Sequence, residues 1–287
     1  RAQADRVLYE NHMRARGLSY SNITVIQGEV AGLLIVEGEC RGVVLAEGED
    51  VRARRTILTP GTFLGGLTHC GRVQKREGRW GEAPALKLSQ QLKAIGFPTL
   101  RLKTGTPPRV WLESLDLSVM EEDRGDDTPS PFSFSTPISS LLERPRAPCW
   151  FTQTTPETHR LIRDNMAESP LFNGAIKGVG PRYCPSVEDK VVRFADKENH
   201  RIVVEPEGLD HPQVYINGFS TSLPEAIQQE MLQTIPGFGK ARMARPGYSV
   251  EYDMVPPTEL HPWLETRRVR HLYHAGQING TSGYEEA

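Results

Sequence analysis

Cysteine is scarce in this chain: Cys40, Cys70, Cys149 and Cys184 are the whole complement of 287 residues. They stand far apart with no C-x-x-C pair, which excludes a zinc knuckle and a disulfide framework. Long apolar runs are missing too. No stretch approaches the length needed to cross a bilayer, so no membrane span is expected. The opening run Arg1-Ala2-Gln3-Ala4-Asp5-Arg6-Val7 has neither the apolar core nor the small-residue cleavage site of a secretion signal. Reduced thiols and a cytoplasmic location are therefore expected. A global excess of basic charge is also lacking: the net charge is −2, and nothing overall announces a polyanionic partner. No internal repeat occurs. The G-x-G-x-x-G spacing that seats a dinucleotide on a helix start is found nowhere.

What is present is ordinary in bulk and informative in order. Apolar residues make up 38% and charged residues 24%, and the length allows two domains or one domain carrying a large insertion. Residues 1–16 read as a helix ended by Gly17, after which the hydrophobic period changes to two. Short β runs at Ile23–Ile26, 32–37, 42–46 and 51–53, parted by Gly-rich turns, describe a meander. The run Arg55-Thr56-Ile57-Leu58-Thr59-Pro60-Gly61-Thr62-Phe63 reads as a buried strand whose C-terminal end approaches a ligand. Ala85, Leu88, Leu92 and Ile95 mark a helix stopped by Gly96 and Pro98, and residues 101–109 form a strand and turn. Residues 121–148 are rich in Pro, Ser, Asp and Arg. They read as a long surface excursion with Phe132 and Phe134 as its apolar anchors.

Beyond it, Thr155-Pro156 caps a helix running to about Glu168, and residues 202–208 are a strand and turn. Ser222-Leu223-Pro224-Glu225 opens a helix with Ile227, Met231 and Ile235 on one face. The end of the chain is a strand, 269–278, then the glycine turn Asn279-Gly280-Thr281-Ser282-Gly283 and the first turn of a helix at Tyr284-Glu285-Glu286-Ala287. A strand, a glycine turn and a helix start together make a phosphate seat. Basic residues gather in four places: Arg52, Arg54 and Arg55; Arg101, Lys103 and Arg109; Lys240, Arg242 and Arg245; Arg267, Arg268 and Arg270. Each is either a solvated face or part of a stripe for a phosphate backbone, and sequence does not say which align.

One thiol stands out. Cys184 lies in Gly180-Pro181-Arg182-Tyr183-Cys184-Pro185-Ser186, directly ahead of the helical stripe Val187, Val191 and Phe194, with Ser186 and Asp189 spaced as a capping box. A helix start and a neighbouring Arg182 favour the thiolate, so a nucleophile fits; a small buried hydrophobe fits as well.

These strings in this order resemble the GidA/MnmG flavoproteins. The resemblance rests on Arg101-Leu102-Lys103-Thr104-Gly105-Thr106-Pro107-Pro108-Arg109 and on the run from Gly180 through Lys190. It rests also on Glu205-Pro206-Glu207-Gly208, Ser220-Thr221-Ser222-Leu223-Pro224, Arg245-Pro246-Gly247-Tyr248 and the closing run from Ala275 to Ala287. It implies an α/β fold: the central part of a glutathione-reductase-like FAD-binding Rossmann domain with a β-meander (1–103), an inserted α+β NADH-binding domain (104–250), and a return segment (251–287). It implies an interior piece, without the first β-α-β unit and without the C-terminal helical domain that docks the partner GTPase. Such a piece is expected to bind FAD weakly or not at all.

The activity implied is modification of the wobble uridine of tRNA at C5, installing a carboxymethylaminomethyl or aminomethyl group, by a homodimer working with the GTPase MnmE. FAD and NADH are the implied cofactors and methylene-tetrahydrofolate the one-carbon donor. Cys184 takes the position of one of the family's functional cysteines. The NAD-assigned segment carries over to Gly180, Pro181, Arg182, Tyr183, Cys184, Pro185, Ser186, Val187, Glu188, Asp189, Lys190, Val191, Val192, Arg193 and Phe194, whose helix start and arginine suit a pyrophosphate. Flavin contacts carry over to Val30, Ala85 and Gln277. The family usually has serine where this chain has Ala85, and often has His and Asn where Gln153 and Thr155 stand. Two other readings are kept: a folate- and FAD-dependent tRNA uridine methyltransferase of the TrmFO type, and a non-catalytic RNA-binding fragment.

Overall fold

The computed structural model describes residues 3–180 and 185–281. The chain opens with α1 (Arg6–Leu18), capped by the Asp5 carboxylate, which accepts from the Leu8 N–H at 2.8 Å. Gly17 does not end this helix; it lies in its last turn, and Ser19 is the C-cap. None of the helix's residues is buried. The meander follows as β1 (Val30–Val36), β2 (Glu39–Leu45) and β3 (Asp50–Arg52), an antiparallel sheet turned at Glu37-Gly38, both at positive φ. The expected strand at Ile23–Ile26 does not form. Its side chains are exposed, and among the described residues no neighbour supplies the ladder hydrogen bonds a strand needs.

Next come β4 (Thr56–Leu58), β5 (Leu67–Cys70) and β6 (Val73–Lys75), then α2 (Leu86–Ile95), closed by Gly96 at φ 97°. The strand expected over 55–63 is only three residues long, because Pro60 and Gly61 turn the chain out of the sheet, and Ile57 is exposed rather than buried. Chain order continues with β7 (Leu100–Thr106), β8 (Arg109–Trp111), β9 (Glu121–Asp123) and the short α3 (Ile138–Leu142). Residues 121–148 form an excursion as expected, but Phe132 and Phe134 do not anchor it: Phe132 is 81% exposed and Phe134 equally free of any core.

β10 (Cys149–Gln153), α4 (Pro156–Asp164), α5 (Val187–Arg193), β11 (Arg201–Pro206), β12 (Gln213–Asn217), α6 (Glu225–Gln233) and β13 (Met243–Arg245) follow. The last strands are β14 (Tyr248–Met254) and β15 (Leu272–His274). The expected strand over 269–278 shrinks to β15, since Gly276 at φ 82° starts a 3-10 turn over Gly276–Asn279.

A six-stranded sheet, β13-β8-β12-β11-β10-β9, packs α4, α5 and α6 on one face. Alternate residues Ile202, Val204, Val214 and Ile216 point into that core with Val187, Val191, Ile162 and Met231, all at 2% exposure or less. Each such side chain contributes about 1.5–3 kcal/mol. A second core gathers Leu33 and Cys40 of the meander with Leu58, Leu64, Leu88, Leu92, Phe97, Leu272 and Ile278. Within it the Gln91 side chain of α2 bonds both backbone groups of Leu33, accepting at 2.5 Å and donating at 2.9 Å. The helix is thus fastened to the sheet by a side chain that completes the ladder.

The four-stranded sheet β6-β5-β14-β7 joins the two cores. Both connections to the stretch of chain that builds the six-stranded sheet run through it, as the antiparallel pair β7 and β14 with Lys103 opposite Glu251. Positions 103 and 250 therefore fall inside paired strands. β15 lies parallel to β4, with His274 opposite Leu58.

Candidate functional site

The parallel pair β4 and β15 ends in two turns, Thr59-Pro60-Gly61 and Ala275-Gly276-Gln277, and the Ala275 N–H donates to the Leu58 carbonyl at 3.0 Å. The carboxyl ends of parallel strands are where open α/β sheets receive ligands. A cleft of about 600 Å³ opens here, lined by Val30, Val43, Leu58, Pro60, Phe63 and Ala85 among others. That volume falls in the range of small-molecule sites, about 300–1,000 Å³, and its walls are mainly apolar with backbone groups at the edge. The one acidic side chain in the lining is Glu29.

Three residues expected to contact the flavin are brought to this region. Val30 starts β1 and lines the cleft. Ala85 is the N-cap of α2 and also lines it, held by its N–H bond to the Phe63 carbonyl at 2.8 Å. Gln277 stands at the rim: its Oε1 is 3.5 Å from where a Cβ on Gly61 would lie, and its Nε2 donates to the Tyr252 hydroxyl at 3.3 Å. Gly61, at φ 53°, cannot easily become another residue here. Thr56, Leu58 and Pro60 were within the run singled out in the sequence. Phe63 closes the same run, and Val43, from the meander, completes the wall.

The second candidate segment leads into the core packed on the six-stranded sheet. Gly180 is exposed, and Pro181, Arg182, Tyr183 and Cys184 lie outside the described residues. From Pro185 onward the expectation of a capped helix is met. The Ser186 hydroxyl accepts from the Asp189 N–H at 3.1 Å, and the Asp189 carboxylate accepts from the Ser186 N–H at 3.1 Å. The Val187 N–H is also engaged, donating to the Ser220 carbonyl at 2.7 Å. The first-turn donors of α5 therefore serve the chain itself. The remaining residues divide by face: Val187, Glu188 and Val191 are buried, while Val192, Arg193 and Phe194 face outward. Lys190 donates to the Gly218 carbonyl at 2.8 Å, and Lys197 lies 5.3 Å over the Phe194 ring.

Glu188 is unexpected, a fully buried carboxylate. Its Oε1 accepts from the Thr221 hydroxyl at 3.0 Å and the Ser222 N–H at 3.2 Å, while Oε2 has no hydrogen-bond partner. Burial pushes its pKa up. Neither Cys70 nor Cys149 is activated by its surroundings. Cys40 is buried and donates to the Thr56 hydroxyl at 3.3 Å. Burial, and then the neighbouring Glu225, push the Cys70 thiol up to about 11. Burial, with Glu205 and Asp123, does the same for Cys149, also to about 11. No cluster of metal-ligating side chains occurs among the described residues. No helix among them is long and apolar enough to cross a membrane.

A family model described as glucose inhibited division protein A, GIDA, matches residues 1–287. The tRNA uridine 5-carboxymethylaminomethyl modification enzyme MnmG of Geobacillus thermodenitrificans is 49% identical over 287 residues, 100% of this chain and 45% of that relative. The MnmG of Bacillus subtilis, of the same printed name, is likewise 49% identical, over 100% of this chain and 45% of its own length. A crystal structure of Aquifex aeolicus GidA superimposes with a TM-score of 0.92 at 44% identity, covering 100% of this chain and 48% of that one. The mixed α/β arrangement is that of GidA, consistent with a glutathione-reductase-like fold. The chain spans about half the length of the curated relatives it matches.

Proposed function

This chain belongs to the GidA family, and from that premise we propose that it serves a flavin-dependent enzyme modifying C5 of the wobble uridine in tRNA. The product carries a carboxymethylaminomethyl or aminomethyl group. The observation that carries this reading is the cleft at the ends of β4 and β15, which collects Val30 and Ala85 with Gln277 at its rim. Its residues fit the flavin dinucleotide. Apolar walls suit a ring system, the turn at Gly61 lets the backbone come close, and Gln277 offers an amide. When bound, FAD would supply redox chemistry, with NADH as its electron source and methylene-tetrahydrofolate as the one-carbon donor.

The chain's own residues do the rest. Val30, Ala85 and Gln277 hold and orient the flavin, and residues 180–194 receive the nicotinamide nucleotide. With the first-turn N–H groups of α5 already used internally, the contribution of that segment comes from side chains such as Arg182 and from the backbone ahead of the helix. Cys184 supplies a sulfur for C6 of the uracil, since C5 is a poor nucleophile until an adding thiolate makes an enolate. The raised thiols of Cys70 and Cys149 do not compete for that role. A homodimer and a GTPase of the MnmE type complete the working assembly. Relatives that match the whole chain carry the carboxymethylaminomethyl name, which favours this chemistry over methyl transfer.

The test is a Cys184→Ser change in the gene in its own host, followed by mass spectrometry of tRNA nucleosides. Loss of the modified wobble uridine is the expected result. Retention of it overturns the part given to the thiol.

A further inference from the structure

We propose that Arg245 and Arg109 form a binding site for a phosphate group at the edge of the six-stranded sheet. The two residues stand directly opposite each other on β13 and β8. An irregularity in the pairing puts them there. Met243 pairs with Val110, so an unbroken ladder would set Ala244 against Arg109, and the extra residue brings Arg245 to that position instead. Like charges facing each other across an antiparallel pair are unfavourable. The core beneath the sheet does not require them, since Val110 is the residue of β8 that enters it.

Arg109 is the fixed member of the pair. It is buried, its Nε donates to Glu207 Oε1 at 2.6 Å, and its Nη1 donates to the Thr106 hydroxyl at 2.9 Å and the Pro107 carbonyl at 2.8 Å. Its guanidinium lies 4.3 Å from the centre of the Tyr215 ring. Glu207 is shared, for Arg6 of α1 reaches its Oε2 at 3.4 Å and His211 Nδ1 lies 4.0 Å from the same oxygen. The Asp5 carboxylate nearby is spent on the Leu8 and Leu209 N–H groups, each at 2.8 Å. Arg245 is left over. Among the described residues no carboxylate lies within ion-pair distance of it, and its half-buried side chain carries an Nε that is covered and unbonded. Burial, and then Arg109, hold its pKa below the ordinary value. An anion relieves both.

The backbone that carries Arg245 is held as firmly. Two residues on, the buried Gln228 amide bonds both backbone groups of Gly247, accepting from its N–H at 2.6 Å and donating to its carbonyl at 2.8 Å. A Cβ at 247 would lie 2.9 Å from the Thr106 carbonyl oxygen, which keeps this turn pressed against the end of β7, and Pro246 fixes φ between the two. The two guanidiniums are therefore set before any ligand arrives, and little order has to be imposed on binding. A planar fork of N–H donors matches the oxygens of a phosphate. β13 is the outermost strand of its sheet, and Lys240 and Arg242 stand exposed just ahead of Arg245, the latter paired with Glu113. An open edge of this kind suits a phosphate carried by a larger molecule or free in solution. Two of the basic clusters seen in the sequence, at 101–109 and 240–245, thus meet here. The inference rests on the tRNA reading only for the source of the phosphate.

The experiment takes the protein expressed from its whole gene and compares it with Arg245→Gln and Arg245→Lys. Urea unfolding is followed in inorganic phosphate and in chloride at equal ionic strength, and binding of a tRNA transcript is titrated across a salt series. In chloride, Arg245→Gln should unfold at the parent's midpoint or above it, because the change removes a repelled charge. Phosphate at about ten times its dissociation constant multiplies the parent's folding equilibrium constant about elevenfold. That gain should vanish in Arg245→Gln and shrink in Arg245→Lys, which keeps the charge without the fork. A tRNA salt slope smaller by about 0.9 in the glutamine variant assigns the phosphate to a nucleic-acid backbone. An unchanged slope beside a lost phosphate gain assigns it to a small molecule. The proposal is overturned if phosphate stabilises Arg245→Gln as much as the parent and the tRNA slope is the same in both. If Arg245→Gln does not fold, Arg245→Lys decides, and a phosphate gain equal to the parent's overturns the proposal. The inorganic phosphate arm needs no tRNA, so failure of the tRNA reading leaves it standing and the two failures are distinguishable.

Discussion

Replacing His274 with leucine should make the fold less sensitive to acid. The ring is completely buried at the end of β15, tilted against Phe97 at 5.6 Å, and neither Nδ1 nor Nε2 has a hydrogen-bond partner. Burial disfavours the imidazolium and pulls the pKa from 6.5 down to about 4. The unfolded chain takes up this proton as pH falls through 6.5, whereas the folded chain resists until about 4. Stability is therefore intact above 6.5 and lost progressively between those two values. Each pH unit in that window is worth about 1.4 kcal/mol, so about 2 kcal/mol is gone at about pH 5. Leucine is of similar volume and carries no proton, and no hydrogen bond is lost in the exchange. Urea unfolding midpoints at about pH 7.5 and about pH 5 measure the effect. His159 and His200, also depressed by burial, stay in both proteins and account for the residual acid loss. Equal loss in the parent and the leucine variant would refute the argument that the buried ring is neutral.

Ser186→Ala removes the hydroxyl that caps α5 and should cost about 1 kcal/mol in the same urea assay at neutral pH. Asp253→Asn should cost about 2 kcal/mol, below the 3–5 typical of a broken buried pair, because Lys93 and Arg101 keep access to water. Burial raises the Asp253 pKa, but Lys93, Ser89 and Arg101 outweigh it and hold the carboxyl below its usual value of 3.8. Its contribution is thus present above that value and lost as pH falls through the folded pKa, so the asparagine variant should show a flatter stability curve below about pH 4.

The elements with strong local signals were legible because the signal and the structure come from the same few residues. The box at Ser186 and Asp189 forms α5, the αL glycine at 96 ends α2, and alternating Ile202 and Val204 enter a core. Where the reading erred, the deciding partner lay elsewhere in the chain. Ile23–Ile26 has a strand's composition but no described neighbour to pair with. Phe132 and Phe134 look like anchors only if something lies beneath them, and the excursion has no core of its own. Pro60 and Gly276 cut two expected strands short, which a period-two reading passes over.

The candidate site shows the same division more sharply. Val30, Ala85 and Gln277 are far apart in sequence and carry no shared motif; family resemblance, not spacing, put them together, and β4 and β15 supply the geometry that collects them. Glu251 and Asp253 illustrate the opposite case. They alternate with Val250, Tyr252 and Met254 in a seven-residue strand, and all seven residues are buried. A polar face on a strand normally means solvent. Here it is covered by α2 through Ser89 and Lys93, and by the entry of the 177–179 segment through two backbone N–H groups. Asp253 fastens α2, whose first turn lines the cleft, and Glu251 fastens the backbone of residues 177 and 178. One central strand thereby ties α2 and residues 177 and 178 to the sheet, which makes its carboxylates informative targets for substitution.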